Sequence, residues 1–324
     1  MGKYIVGVDV GGHNIRTVIS DLEGKILLRR SAKINRDAED ARTNVDILAG
    51  EITSSLREFG ITEADLAGVG VGVPSPVDPE KGTLLICPNI PYWTGLNLGE
   101  SLNEFLSVPI VIENDVNIAT LGEYWKGSAR GCRNFFFIGL GTGIGGGAFI
   151  NGKVHSGSNF CAAEIGYLTL APNQRERRVG DLGWFESVAS GLALDQEGKR
   201  AAHMNSTGKL TEIAGSPDKV DSLTVFEASS QGDPDATAIL EQAYEYYALA
   251  VVNITAILDP DAIIFGGGMA AQGEVLLAPV RKKAAAYGLP VPDLRCAELG
   301  AEAQIYGAVY LIAVSYTHLR AHET

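Results

Sequence analysis

Cysteine is scarce and scattered: Cys87, Cys132, Cys161 and Cys296 form no CxxC pair, so neither a disulfide framework nor a zinc knuckle is supported and a reducing cytoplasm fits. Basic residues are outnumbered, 26 Lys and Arg against 39 Asp and Glu, and the formal charge of −13 argues against nucleic acid or an anionic membrane as the main partner. No apolar leader precedes the first strand pattern, so export is not expected, and the most apolar helical run, residues 247–258, is too short to span a bilayer and is interrupted by Asn253. No low-complexity linker divides the chain. Glycine, in contrast, is plentiful, with 39 residues in 324. Backbone amides in glycine loops, helix N-termini and a divalent cation can hold a phosphate without many basic side chains. At 46% apolar and 20% charged positions, the chain can bury two moderate cores, and two lobes are expected.

The two halves of the chain carry a weak internal repeat. Residues 4–10, 15–21 and 25–34 read as strands separated by turns at Gly11-Gly12 and Glu23-Gly24. Further on, residues 135–140 read as a strand, 141–147 as a glycine loop and 148–150 as a resumed strand, with Asn151-Gly152 a hairpin turn before Lys153. Each half thus places a glycine loop between antiparallel strands, which predicts a duplicated fold. Residues 44–59 and 236–258 have helical spacing, and 68–73 is a short buried strand that runs into Pro74-Ser75-Pro76.

Gly141-x-Gly143-x-x-Gly146 after a strand formally matches the dinucleotide-binding fingerprint, with Glu164 about twenty residues on. The fingerprint needs a helix starting in the loop, and here a β-like segment and an Asn-Gly turn follow instead. A third cluster, Gly266-Gly267-Gly268, follows the apolar strand 262–265 and precedes a helix-like stretch from Met269; it lets a flat ring approach the backbone, or serves as a tight turn. Glu113-Asn114-Asp115 follows the apolar run 108–112. A carboxylate placed beside nucleotide loops can deprotonate an attacking hydroxyl. Asp115 therefore has two readings, a general base or the N-cap of a helix starting near Val116.

In order and spacing these motifs resemble the ROK sugar kinases, within the actin, Hsp70 and hexokinase superfamily of ATPases, over residues 4 to about 314. Asp9-Val10-Gly11-Gly12 resembles the first phosphate motif, the run from Gly141, Thr142 and Gly143 to Gly147 the second, Gly266-Gly267-Gly268 the adenosine motif and Glu113-Asn114-Asp115 the catalytic triplet. Residues 73–78 and 88–93 resemble loops that close over the sugar, and Ala163-Glu164-Ile165-Gly166 and Glu186 resemble further sugar contacts. The resemblance implies a two-lobed α/β ATPase (ribonuclease H-like) fold with nucleotide and sugar in the cleft: an N-terminal lobe over 1–115, a C-terminal lobe over 116–314 and a last helix packing back on the first lobe. It implies ATP-dependent phosphorylation of a hexose, with glucose the default, Asp115 as base, and Asn89, Asn114, Asp115, Glu164, Tyr167 and Glu186 on the sugar. Asp9 would orient hydrated magnesium, and a homodimer is expected.

The chain departs from the family pattern at several positions. Tyr167 stands where the family carries a histidine that touches zinc and sugar, and Arg177, Val179 and Trp184 stand where zinc cysteines are expected, so no structural zinc is predicted. His13 replaces a threonine of the first phosphate motif, either beside the phosphates or turned away, and Ser75 in place of glycine narrows the sugar pocket. Mannose, fructose, allose, N-acetylhexosamines and a polyphosphate donor stay open. A sugar-sensing protein without turnover is the alternative; neither an N-terminal helix-turn-helix nor a basic face supports it. Residues 315–324 break the apolar helical pattern and read as an appended tail, so His318 and His322 are not read as metal ligands.

Overall fold

The structure is a computed structural model and describes residues 2–87, 90–171 and 182–322. Two compact units are present, one of residues 1–130, 156–162 and 301–324, the other of residues 131–155 and 163–300.

The first unit is built on a five-stranded sheet of β1 (Tyr4–Val10), β2 (Asn14–Asp21), β3 (Ile26–Lys33), β4 (Leu66–Val73) and β5 (Ile110–Asn114), in the order β3-β2-β1-β4-β5. The pairs β1/β2 and β2/β3 are antiparallel, whereas β1/β4 and β4/β5 are parallel. Central β1 and β4 are almost wholly buried runs of valine, isoleucine and glycine, as a sheet covered on both faces requires, while edge strand β3 alternates and exposes charged residues. Helix α1 (Ala41–Phe59) starts where Asp40 accepts from the Thr43 amide and stops at Gly60, φ 80°. Its Val45, Leu48, Ile52 and Leu56 pack with Val8, Val69 and Val71. Ile305, Val309 and Ile312 of the C-terminal helix Ala303–His322 pack with Ile5 and Val18. That helix sits so close that a Cβ on Gly70 would overlap the Ala308 carbonyl. Helix α2 (Asp115–Lys126) packs against the same C-terminal helix, Tyr124 and Trp125 both meeting Tyr310.

The second unit repeats the plan. Strands β6 (Phe135–Leu140), β7 (Ile144–Ile150), β8 (Lys153–Val154), β9 (Ala262–Gly266) and β10 (Asp293–Cys296) run in the order β8-β7-β6-β9-β10, two antiparallel pairings followed by two parallel ones. The order and strand directions match those of the first unit, so the weak sequence repeat is a true topological duplication. Its core joins Phe136, Ile138, Ile263 and Phe265 to Tyr247 and Val251, with Phe185. Helices α3 (Trp184–Ala189), α4 (Gly191–Met204), α5 (Ser222–Ser230), α6 (Pro234–Leu258) and α7 (Glu274–Ala285) cover it.

Three elements differ from expectation. The run 141–147 is not all loop, because Gly145, Gly146 and Gly147 already pair with Gly139, Ile138 and Phe137, leaving a turn of only Gly141, Thr142 and Gly143. The stretch after Gly267 opens as a 3-10 turn, Gly268–Gln272, before α7. The last helix runs on to His322, past the end of the apolar pattern at Val314.

Candidate active site

β1 carries Asp9 to the turn through Gly11, Gly12 and His13, which the Gly11 amide closes onto the Asn14 carbonyl at 2.9 Å. Asp9 is 6% exposed and sits opposite Arg16 on β2, whose Nη2 and Nε both donate to Oδ2 at 2.7 and 2.9 Å. Burial pushes the Asp9 carboxyl up and the Arg16 guanidinium partly offsets this. Oδ1 takes no part in the Arg16 contact. One carboxylate with an oxygen to spare suits a magnesium ion that keeps most of its waters and takes phosphate oxygens. Arg16 was not read from the sequence; the tight hairpin register that pairs residue 9 with residue 16 was the available signal. The His13 ring is exposed, with Nε2 2.9 Å from Arg36 Nη1. Arginine can only donate, so in this contact the ring nitrogen is the acceptor.

At the junction of β5 and α2 the three residues of the triplet divide their duties. Asn114 is the N-cap: its Oδ1 accepts from the Val116 and Asn117 amides at 2.9 and 3.0 Å, and its Nδ2 donates to the Ser75 carbonyl at 3.2 Å. Capping therefore falls to Asn114. Asp115 is the first helical residue, where the helix N-terminus favours negative charge, and its Oδ1 accepts from the Val116 amide at 2.9 Å. Glu113 is 8% exposed and its Oε1 accepts from the Asn114 amide and Asn117 Nδ2 at 2.8 and 3.0 Å. Burial raises its carboxyl above the ordinary range, and those two bonds pull it partly back. Ser75 is buried and turns its hydroxyl onto the Pro76 carbonyl. Cys87 is buried, its thiol pushed up to about 11 by burial first, with the Asp115 charge adding to the rise, so it is no nucleophile. Ile90 and Tyr92 line a cavity of about 250 Å³ with Asn35, Arg36 and Asn44. Asn89 lies outside the described residues.

In the second unit the turn between β6 and β7 has its carbonyls spoken for. Gly141 O accepts from the Gly191 amide at 2.9 Å, Thr142 O from Leu192 at 3.1 Å, and Gly143 O from Gly141 at 3.0 Å. The Ile144 amide donates to Glu186 Oε2 at 2.7 Å. The Thr142 and Gly143 amides are the donors of the turn that none of these bonds uses, which is the arrangement an anion needs. Around Gly141 there is open space, whereas Gly143 abuts the Glu186 carboxylate.

The third glycine cluster separates by role. A Cβ on Gly266 would overlap the Phe137 ring, and Gly267, at φ 84° and ψ 177°, lies against the Leu140 carbonyl. Both are demanded by packing within the unit. Gly268 faces open space, so close approach of a ring concerns this residue.

Glu164 and Glu186 are near enough to interact. Burial first, and then the Glu186 charge, raises the Glu164 carboxyl above its ordinary range. The preceding Ala163 has φ 66°, an uncommon conformation for a side-chain-bearing residue. Tyr167 is exposed at the end of the 3-10 turn Ile165–Tyr167. Trp184 is buried with its ring edge-on to Tyr246 at 5.1 Å, an apolar side chain at a position where the family pattern has a zinc cysteine. Arg177 and Val179 lie outside the described residues. Among the described residues no helix is long and apolar enough to cross a membrane.

Comparison with known proteins gives one consistent answer. The ROK family model matches residues 5–314. A glucokinase of Halalkalibacterium halodurans is 33% identical over 318 residues, 96% of this chain and 95% of that enzyme. A crystal structure of a ROK family glucokinase from Streptomyces griseus, in complex with glucose and AMPPNP, superposes with a TM-score of 0.80 at 31% identity over 95% of this chain and 98% of that one. A ROK family transcriptional regulator reaches 0.85 at 21% identity, covering 98% and 79%, and shares the fold. With motifs, duplicated two-lobed ATPase architecture and whole-length similarity in agreement, the chain belongs to the ROK family.

Proposed function

We propose that this chain, a sugar kinase, transfers the γ-phosphoryl group of ATP to a hydroxyl of a hexose, glucose by default, with Asp115 as general base. The observation that carries the reading is the β5–α2 junction: Asn114 takes the cap, Glu113 fixes Asn114, and Asp115 stands at the helix start with a carboxylate suited to accept a proton. In this reading the sugar oxygen forms its bond to the γ-phosphorus as the bond to the bridging oxygen breaks. ADP leaves and the hydroxyl proton passes to the Asp115 carboxylate. The Thr142 and Gly143 amides meet phosphate charge, and Gly268 lets the adenine ring approach. Asn114, Glu164, Tyr167, Glu186 and Asn89 hold the sugar. Asp9 would hold hydrated magnesium, which when bound neutralises the β- and γ-phosphate oxygens. Glucose is supported by the glucokinase relative and by the neighbour solved with glucose and AMPPNP.

The test is ADP release from magnesium ATP across hexoses and N-acetylhexosamines, with Asp115→Asn run alongside. Sugar-dependent turnover is expected, reduced by about 10²–10⁴ in the variant, the range of a lost general base. Turnover equal in both proteins removes Asp115 from the chemistry. Sugar binding with no turnover in either makes the chain a sensor.

A further inference from the structure

The Glu186 carboxylate makes a contact that a purely sugar-binding residue has no need of. Its Oε2 accepts the Ile144 amide at 2.7 Å, at the foot of the phosphate turn, and occupies the space that a Cβ on residue 143 would need. The helix that carries it is held firmly. Phe185 is fully buried, its amide donates to the Leu168 carbonyl, and buried Tyr247 donates its hydroxyl to the Ala189 carbonyl at 2.5 Å. Glycine at 143 leaves room for the carboxylate, since any Cβ there would overlap it. The three turn carbonyls are engaged elsewhere, and where Ile144 pairs with Leu140 at the start of β7, Glu186 adds a side-chain tie on the Ile144 amide.

From this geometry we infer that Glu186 is a positioning residue for the phosphate turn: by holding the Ile144 amide it fixes how the Thr142 and Gly143 amides face the nucleotide, whether or not sugar is present. The inference rests on the phosphate-binding reading of that turn. It separates the two oxygens of one side chain. Oε2 serves the nucleotide half of the reaction, and Oε1 makes no part of the Ile144 contact, so a sugar hydroxyl can use it. An accepted hydrogen bond, and not the negative charge as such, does the positioning. A carboxamide keeps that acceptor and alanine does not.

The experiment is calorimetric titration of the wild-type chain, Glu186→Gln and Glu186→Ala with magnesium AMPPNP in the absence of sugar, with thermal melting to confirm that each is folded. Wild type is expected to bind. The alanine variant is expected to bind about tenfold more weakly, the loss of one hydrogen bond to a charged group, and the glutamine variant within about twofold of wild type by rescue of the same acceptor. An alanine variant that binds nucleotide like wild type and loses only sugar affinity overturns the inference, as does a glutamine variant as weak as alanine. A wild-type chain that binds no AMPPNP sinks the kinase reading itself, which is a separate result.

Discussion

Glu113 illustrates at the residue scale why a buried acid beside a functional residue need not be functional itself. Its carboxylate fixes Asn114 and Asn117, and burial holds its folded-state value above the ordinary carboxyl range. A carboxyl raised by folding favours the folded state most at low pH. That contribution declines as pH climbs from the unfolded value through the folded one, and is constant above it. Glu113→Gln keeps the acceptor and cannot titrate, so its melting temperature relative to wild type is expected to move upward between pH 4 and pH 8. Thermal melts of both proteins across that range decide it, and a pH-independent difference removes the desolvation argument. The motif order showed Asp9, Asp115 and the glycines in the sequence, because their spacing is local. The Arg16 partner of Asp9 and the Ile144 contact of Glu186 were not read from the motifs. The first is signalled only by the short hairpin register that sets residue 9 opposite residue 16, and the second depends on a distant helix, which no local pattern encodes.

Elements were legible where periodicity is strong and blurred where glycine blunts it. Strands β1, β4 and β6 read clearly as valine-, isoleucine- or phenylalanine-rich runs, yet β7 begins four residues earlier than expected, at Ile144, since Gly145 to Gly147 pair through backbone alone. Glycine also hides two different duties in Gly266-Gly267-Gly268. Gly267→Ala must adopt φ near 84° and drive its methyl into the Leu140 carbonyl, a strain of roughly 1–3 kcal/mol before any overpacking. Its melting temperature is expected to fall. Gly268→Ala meets no neighbour, so its melting temperature should match wild type while its KM for ATP rises and its KM for sugar holds. Steady-state kinetics on both variants check this. An unchanged KM for ATP in Gly268→Ala takes that residue out of the nucleotide contact and leaves the cluster a strand-to-turn connection.

For the whole molecule, duplication was readable from two similar glycine hairpins, whereas the return of the last helix to the first lobe was expected only from the family resemblance. The chain leaves the first unit at residue 130, returns to it briefly at residues 156–162 and completes it with residues 301–324. Ile305, Val309 and Ile312 bury against Ile5 and Val18, and at roughly 1.5–3 kcal/mol per large apolar side chain the three together contribute about 5–9 kcal/mol. That is comparable with the entire net stability of an ordinary domain, about 5–15 kcal/mol. The first unit therefore should not be stable before the last helix is made, whereas the main core of the second, from Phe136 to Leu294, lies within residues 131–300. A chain stopped after Gly300 is expected to retain hydrogen-exchange protection at Ile263 and Ile264 in β9 and to lose it at Val6 and Val8 in β1. Equal protection of both strands in the shortened chain would show that β1, β4 and α1 hold the first unit without the helix, and that the burial at Ile305, Val309 and Ile312 is worth far less than its area suggests. Loss of protection in both would instead make the two units one cooperative block.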